Sequence, residues 1–207
     1  EKSSQIFLAN AYLLGNYGVK QDGHRAQQLL DASQDLPAAH GILGQLYLQG
    51  MQHADPPIPA DPQRAFEEFQ RGVALNDPVS LNGMGYIHAT GAVPGIARNY
   101  AEARSFFARA SDAGNAEATY NLALLLMHGK GAPQDERLAA TLMLRAHASG
   151  SILASWQLGS LHFSGKSPYV SQSCSLSLEY FNKVMSAGSW NHLIVSGYDA
   201  FQEGDTF

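Results

Sequence analysis

Cysteine is almost absent from this chain: Cys174 stands alone among 207 residues. That excludes an internal disulfide framework and every Cys-x-x-Cys metal or redox motif. Charge is scarce as well, at 15% of residues, and thirteen Lys and Arg against eighteen Asp and Glu leave a net charge of −5. The basic residues are scattered singly, so no positive stripe interleaved with aromatic residues offers itself to a nucleic acid. No apolar run is long enough to span a bilayer, and no signal-like segment is present.

Catalytic and metal-binding signatures are missing too. None of the eight histidines pairs with another at i, i+4 spacing, which a helical metal site would need. The run His128-Gly129-Lys130-Gly131 lacks the upstream glycine and the following Ser or Thr of a phosphate loop. Ser160 lacks the second glycine of a nucleophile elbow. No catalytic residue, cofactor or metal is therefore expected. Cys174 reads as a small buried residue at the start of a helix. No asparagine lies in an N-x-Ser/Thr frame, so the chain carries no N-glycosylation acceptor of its own.

What the chain does have is glycine at regular intervals. The peptides LANAYLLG, LGQLYLQG, MGYIHATG, LALLLMHG and LGSLHFSG close on Gly15, Gly50, Gly91, Gly129 and Gly165, separated by 35, 41, 38 and 36 residues. A self-similar unit at this period is the signature of a solenoid, in which no single copy can bury its own apolar face. Each copy reads as helix, turn, helix: Leu81, Met84, Gly85, Ile87 and His88 fall at helical spacing before Gly91. Ala103, Phe106, Phe107 and Ala110 then share a face before Gly114. Glycines at 114, 150 and 188 end the second helices, where a residue without Cβ enters the left-handed region cheaply.

Further positions follow from the register. The small residues Ala9, Gly44, Gly85, Ala123 and Gly159 recur in the middle of each first helix and are expected to admit a close helix neighbour. Tyr12 and Tyr47 share their position with His88 and His162, which read as substitutes for a packing aromatic with one polar partner. Phe66, Phe69, Phe106, Phe107, Tyr180 and Phe181 are expected mostly as core. Tyr86, Tyr120, Trp156 and Tyr198 lie within first helices, the row that commonly lines a concave face, and Tyr86, Tyr120 and Tyr198 are candidate partner-binding residues. The loop MQHADPPIPADP cannot be helical at Pro56, Pro57 and Pro59, so it should bulge from one edge.

The elastic period separates this pattern from the tetratricopeptide unit, which is fixed near 34 residues. A first helix ending LGxLYxxG, a loop ending in Asp or Asn, and a second helix of the form AxxxFxxA closed by Gly are similar to the Sel-1-like repeat. The resemblance implies an all-α fold, a right-handed curved stack of helix-turn-helix repeats. One solenoid domain over 1–207 is expected, with repeats near 3–36, 37–77, 78–114, 115–150 and 151–188 and a sixth first helix in 189–207. Ser173, Cys174, Phe181 to Val184, Gly188, Trp190 and the Tyr198 to Asp205 tail resemble the branch of that family that serves as luminal adaptors in endoplasmic reticulum-associated degradation. That resemblance implies a non-enzymatic scaffold in the endoplasmic reticulum lumen, partnered by a membrane ubiquitin ligase and by lectin or substrate-delivery factors. Membrane association would come only through parts outside the chain, which reads as a segment of a longer protein.

An alternative stays open: a bacterial-type repeat scaffold for envelope or host-interaction complexes. An enzyme that uses the repeats as a substrate clamp would need its active site in a further domain. The resemblance also implies a two-fold homodimer through the fifth repeat, pivoting at Gly150 and Ser151, with Ile152, Leu153, Trp156 and Leu158 as self-association residues. The same apolar residues, with Trp190, Leu193, Ile194 and Val195, could instead finish the core of their own chain.

Overall fold

The computed structural model describes residues 2–187. Ten helices run in chain order among these residues: α1 Lys2–Leu14, α2 Gly23–Asp31, α3 Pro37–Gln49, α4 Pro62–Ala74, α5 Pro78–Thr90, α6 Tyr100–Asp112, α7 Ala116–Met127, α8 Glu136–Ala148, α9 Ile152–Ser164 and α10 Cys174–Ser186. Among the described residues the only β pairing is an isolated bridge between Met51 and Ile58. The helices pair as five helix-turn-helix repeats, so the fold is all-α, as the spacing predicts. The chain divides into two compact units, Glu1–Asn115 and Ala116–Phe207.

One latch sets the turn inside every repeat. The eleventh residue of each first helix offers its carbonyl to the N–H of the residue that caps the second helix. The pairs are Asp22 to Tyr12 (2.9 Å), Asp61 to Tyr47 (2.7 Å), Asn99 to His88 (2.7 Å), Asp135 to Leu126 (3.0 Å) and Ser173 to His162 (2.9 Å). The same capping residue turns its side chain onto an N–H of the first turn of its helix, as Asp61 does to Arg64 at 3.0 Å and Asp135 to Leu138 at 2.9 Å. One Asp, Asn or Ser thus satisfies an orphan carbonyl of one helix and an orphan N–H of the next. Most of the slack in the repeat period lies between the closing glycine and this cap.

The proline-rich loop is pinned by a bridge within its own repeat. It is not helical, but it does not stand free. Met51 and Ile58 exchange backbone hydrogen bonds of 2.7 and 3.0 Å, Ile58 is buried, and a Cβ on Gly23 would strike both side chains. Nε2 of His24 lies 2.7 Å from the Pro56 carbonyl oxygen, so the loop folds back on the start of α2.

Within a repeat, helix pairs close on a ring and a gap. The eighth residue of each second helix is Leu30, Phe69, Phe107, Met143 or Phe181; the eighth of its first helix is Ala9, Gly44, Gly85, Ala123 or Gly159. Phenylalanine faces glycine in three repeats, where a Cβ on Gly44, Gly85 or Gly159 would run into the ring of Phe69, Phe107 or Phe181. Leucine or methionine accompanies alanine in the other two, and Leu30 with Ala9 and Met143 with Ala123 are fully buried in their cores. Volume is conserved across the pair, as close packing demands. The ring of Phe69 also fills the space above Gly83 of α5, tying the second repeat to the third.

Candidate interaction surface

The first unit buries two carboxylates, Glu68 and Asp77. Every second helix except α4 carries an apolar seventh residue (Leu29, Phe106, Leu142 or Tyr180) where α4 has Glu68. Glu68 is buried and accepts from His40 Nδ1 at 2.8 Å and from Arg71 at 2.6 Å. With both carboxylate oxygens engaged, the group joins α3 to α4 and offers no free base. The neighbouring Ser80 hydroxyl is fully buried and donates to Asp77 at 2.7 Å.

The two histidines in the tyrosine register behave as packing rings. His162 is buried, stacks on Tyr180 at 5.4 Å and reaches the Ser171 carbonyl through Nδ1 at 2.7 Å. His88 stacks on Phe106 at 5.5 Å, and its Nδ1 lies 2.9 Å from the Glu102 carboxylate but off the hydrogen-bonding direction. Where tyrosine is kept, an arginine of the second helix covers it: Arg25 over Tyr12 and Arg64 over Tyr47, the latter at 4.4 Å. Such pairs contribute about 0.5–1 kcal/mol at exposed sites. Among the described residues no group of three or more His, Cys, Asp or Glu is placed to hold a metal ion.

The candidate contact residues do not share one environment. Tyr86, the ninth residue of α5, is 40% exposed and free to meet a partner. Tyr120, the fifth residue of α7, packs half-buried against the second core. Burial and the nearby Glu117 carboxylate push its hydroxyl pKa up to about 12, so it serves that core first. Trp156, also a fifth residue, is half-buried and tilts against Phe181 at 5.0 Å. Tyr198 lies outside the described residues.

The residues read as a self-association patch are likewise divided. Leu158 is fully buried in the second core. Ser151 is buried, caps α9 through Ala154 at 3.2 Å and hydrogen-bonds Glu117. Ile152 is half-buried, Gly150 is exposed with φ +95, and Leu153 is 41% exposed. Only Leu153 presents a large apolar side chain to solvent. Phe163, an apolar residue of the fifth copy that the sequence shows in need of cover, is exposed, and sequence reasoning passed over others nearby: Tyr169, Leu176, Leu178 and Met185 are exposed as well. Cys174 is a correction, because it is exposed at the first position of α10 and its thiol is free. A helix N-terminus there faces solvent, and the buried positions of that turn go to Ser177.

A chain of helix pairs latched and packed by one repeated rule is a helical-repeat protein, a class whose members act through surface. The Sel1 repeat model matches it five times, over residues 2–33, 37–77, 78–115, 116–151 and 152–188, and the chain belongs to the Sel1 repeat family. No curated protein matches it in sequence. Among solved structures it is similar to a Sel1 repeat protein from Oxalobacter formigenes (24% identity, 92% of this chain and 75% of that one, TM-score 0.67). It is also similar to c5321, a protective antigen of uropathogenic Escherichia coli (21%, 98% and 42%, TM-score 0.60). A third likeness is to the immunity protein Pa5087 of Pseudomonas aeruginosa (18%, 90% and 68%, TM-score 0.62).

Proposed function

We propose that this chain is a non-enzymatic protein-interaction scaffold of the kind found among bacterial Sel1 repeat proteins, holding partners of an envelope or host-interaction complex. The observation that carries the reading is the match of five consecutive Sel1 repeats, a family of interaction modules. The bacterial origin of the similar structures, a protective antigen and an immunity protein among them, supports the setting. Exposed Tyr86 supplies a rigid amphipathic anchor of the sort that dominates interface energetics. A partner captured by the purified chain should dissociate from Tyr86→Asp with at least about tenfold weaker affinity, read by calorimetry. Unchanged affinity would remove Tyr86 from the interface. Recovery of a nucleic acid or a small-molecule cofactor would overturn the scaffold reading itself.

A second reading, the luminal adaptor of an endoplasmic reticulum membrane ubiquitin ligase, is favoured by one sequence observation: Gly188 followed by Trp190, and the Gly204-Asp205 close. It brings with it the luminal compartment, the ligase and lectin partners, and a homodimer through the fifth repeat. A gene encoding a signal peptide upstream and a membrane span downstream of this chain would select it. A reading frame with neither selects the first.

A further inference from the structure

Charge is divided unevenly between the two kinds of helix in the first unit. Second helices α4 and α6 carry four Asp, Glu, Lys or Arg each, whereas first helices α3 and α5 carry none. Burial explains most of that difference but not all of it. Of the thirteen residues of α3 only Gln45 and Gln49 are exposed, and of the thirteen of α5 only Tyr86. Exposed helix positions ordinarily go to charged side chains, yet these three hold two amides and a phenol. Among the described residues neither the Gln45 nor the Tyr86 side chain makes a hydrogen bond or an ion pair. Their donors are open to a partner.

Gln45 and Tyr86 are both ninth residues of their helices, and α3 packs directly on α5, where a Cβ on Gly41 would strike Val79. The two groups therefore stand about one helix spacing apart, roughly 8–10 Å. A polyproline II chain turns once in three residues of about 3.1 Å each, so carbonyls on one side recur at about 9.3 Å, and none of them is used in an internal hydrogen bond. We infer that the α3 and α5 face receives an uncharged, proline-rich segment of a partner protein. The Gln45 amide and the Tyr86 hydroxyl donate to carbonyls one turn apart, and a proline ring rests on the Tyr86 ring. Spacing disfavours a β-strand, whose same-side carbonyls recur at about 6.8 Å. Charge decides the composition: a neutral face offers a basic or acidic segment no Coulombic gain against its desolvation. The inference rests on the scaffold reading and names the partner class for this one face.

The test is nuclear magnetic resonance on the full chain, titrated with a blocked peptide of Pro-Ala-Gln repeats as the probe. Saturable shifts of the Gln45 side-chain amide and the Tyr86 ring are expected, with an affinity unchanged from about 0.05 to about 0.5 M salt. Gln45→Ala joined with Tyr86→Ala should weaken binding by about tenfold or more, while circular dichroism stays that of the parent, because both side chains are exposed. A peptide of Gly-Ser-Gln repeats lacks the preformed helix and should bind weaker by about tenfold or more. Absence of shifts at millimolar peptide overturns the inference, as do equal binding of the glycine peptide, affinity that falls with salt, and shifts confined to other helices. Each of those outcomes leaves the scaffold reading standing, since that reading falls to a nucleic acid or a small-molecule cofactor recovered with the purified chain.

Discussion

Phe107 is 2% exposed, and its ring occupies the space that a Cβ on Gly85 would need. Phe107→Ala is expected to lose about 3–5 kcal/mol of unfolding free energy by urea denaturation, and a loss below about 1 kcal/mol would show that the cavity collapses or the ring is dispensable. Glu117 makes a different prediction. Burial raises its carboxyl pKa, while a hydrogen bond with Ser151 pulls the other way. A carboxyl whose folded pKa is raised binds its proton more readily folded than unfolded, so this group adds stability as pH falls from neutral toward the usual carboxylate range. Glu117→Gln should flatten that rise, measured by urea titrations at neutral and mildly acidic pH; an unchanged slope would mean that its carboxylate is solvated. Single residues were the least legible level. Tyr86 and Tyr120 look alike in their helices, and only counting from the helix start separates the ninth position from the fifth. Cys174 follows the same lesson, since its residue type predicts burial and its place in the first turn decides against it.

Helices were readable because their ends are chemically marked. Asp22, Asp61, Asn99, Asp135 and Ser173 cap the second helices, and Gly91 and Gly165 close first helices in the left-handed region. The pairing rule between helices was only half legible: the small central residues announced a close neighbour, but not that phenylalanine would stand opposite glycine and methionine opposite alanine. This yields a compensation test. Gly85→Ala should cost about 1–3 kcal/mol by overpacking against Phe107, although alanine regains up to about 1 kcal/mol of helix propensity. Joined with Phe107→Met, which recreates the Ala123 and Met143 pair, the double variant should be more stable than the sum of the single changes by about 0.5 kcal/mol or more. Strict additivity in the thermodynamic cycle would refute the rule.

For the molecule as a whole, five repeats were countable from glycine spacing, and the family match divides the chain at nearly the same residues. The division into two units after Asn115 was not. The junction Asp112-Ala113-Gly114-Asn115 has the same chemistry as Ala148-Ser149-Gly150-Ser151, so local sequence does not distinguish them. Self-association belongs to this scale. Were two copies to pair through the fifth repeat, Leu153→Ala should shift light scattering at micromolar concentration from dimer to monomer; a monomeric parent, or a variant that dimerises unchanged, ends that proposal. The inter-helix latch carries one last consequence. Its two ends are a carbonyl in the eleventh residue of a helix and the N–H of the next cap, and what lies between is not read by either. From six residues after Gly129 to eleven after Gly50, nature has already varied that span without moving the cap. Doubling such a loop costs only about 0.6 kcal/mol of closure entropy. The segment between Gly129 and Asp135 is thus a cassette, able to carry a grafted epitope or a reporter peptide while the helices on either side keep their register.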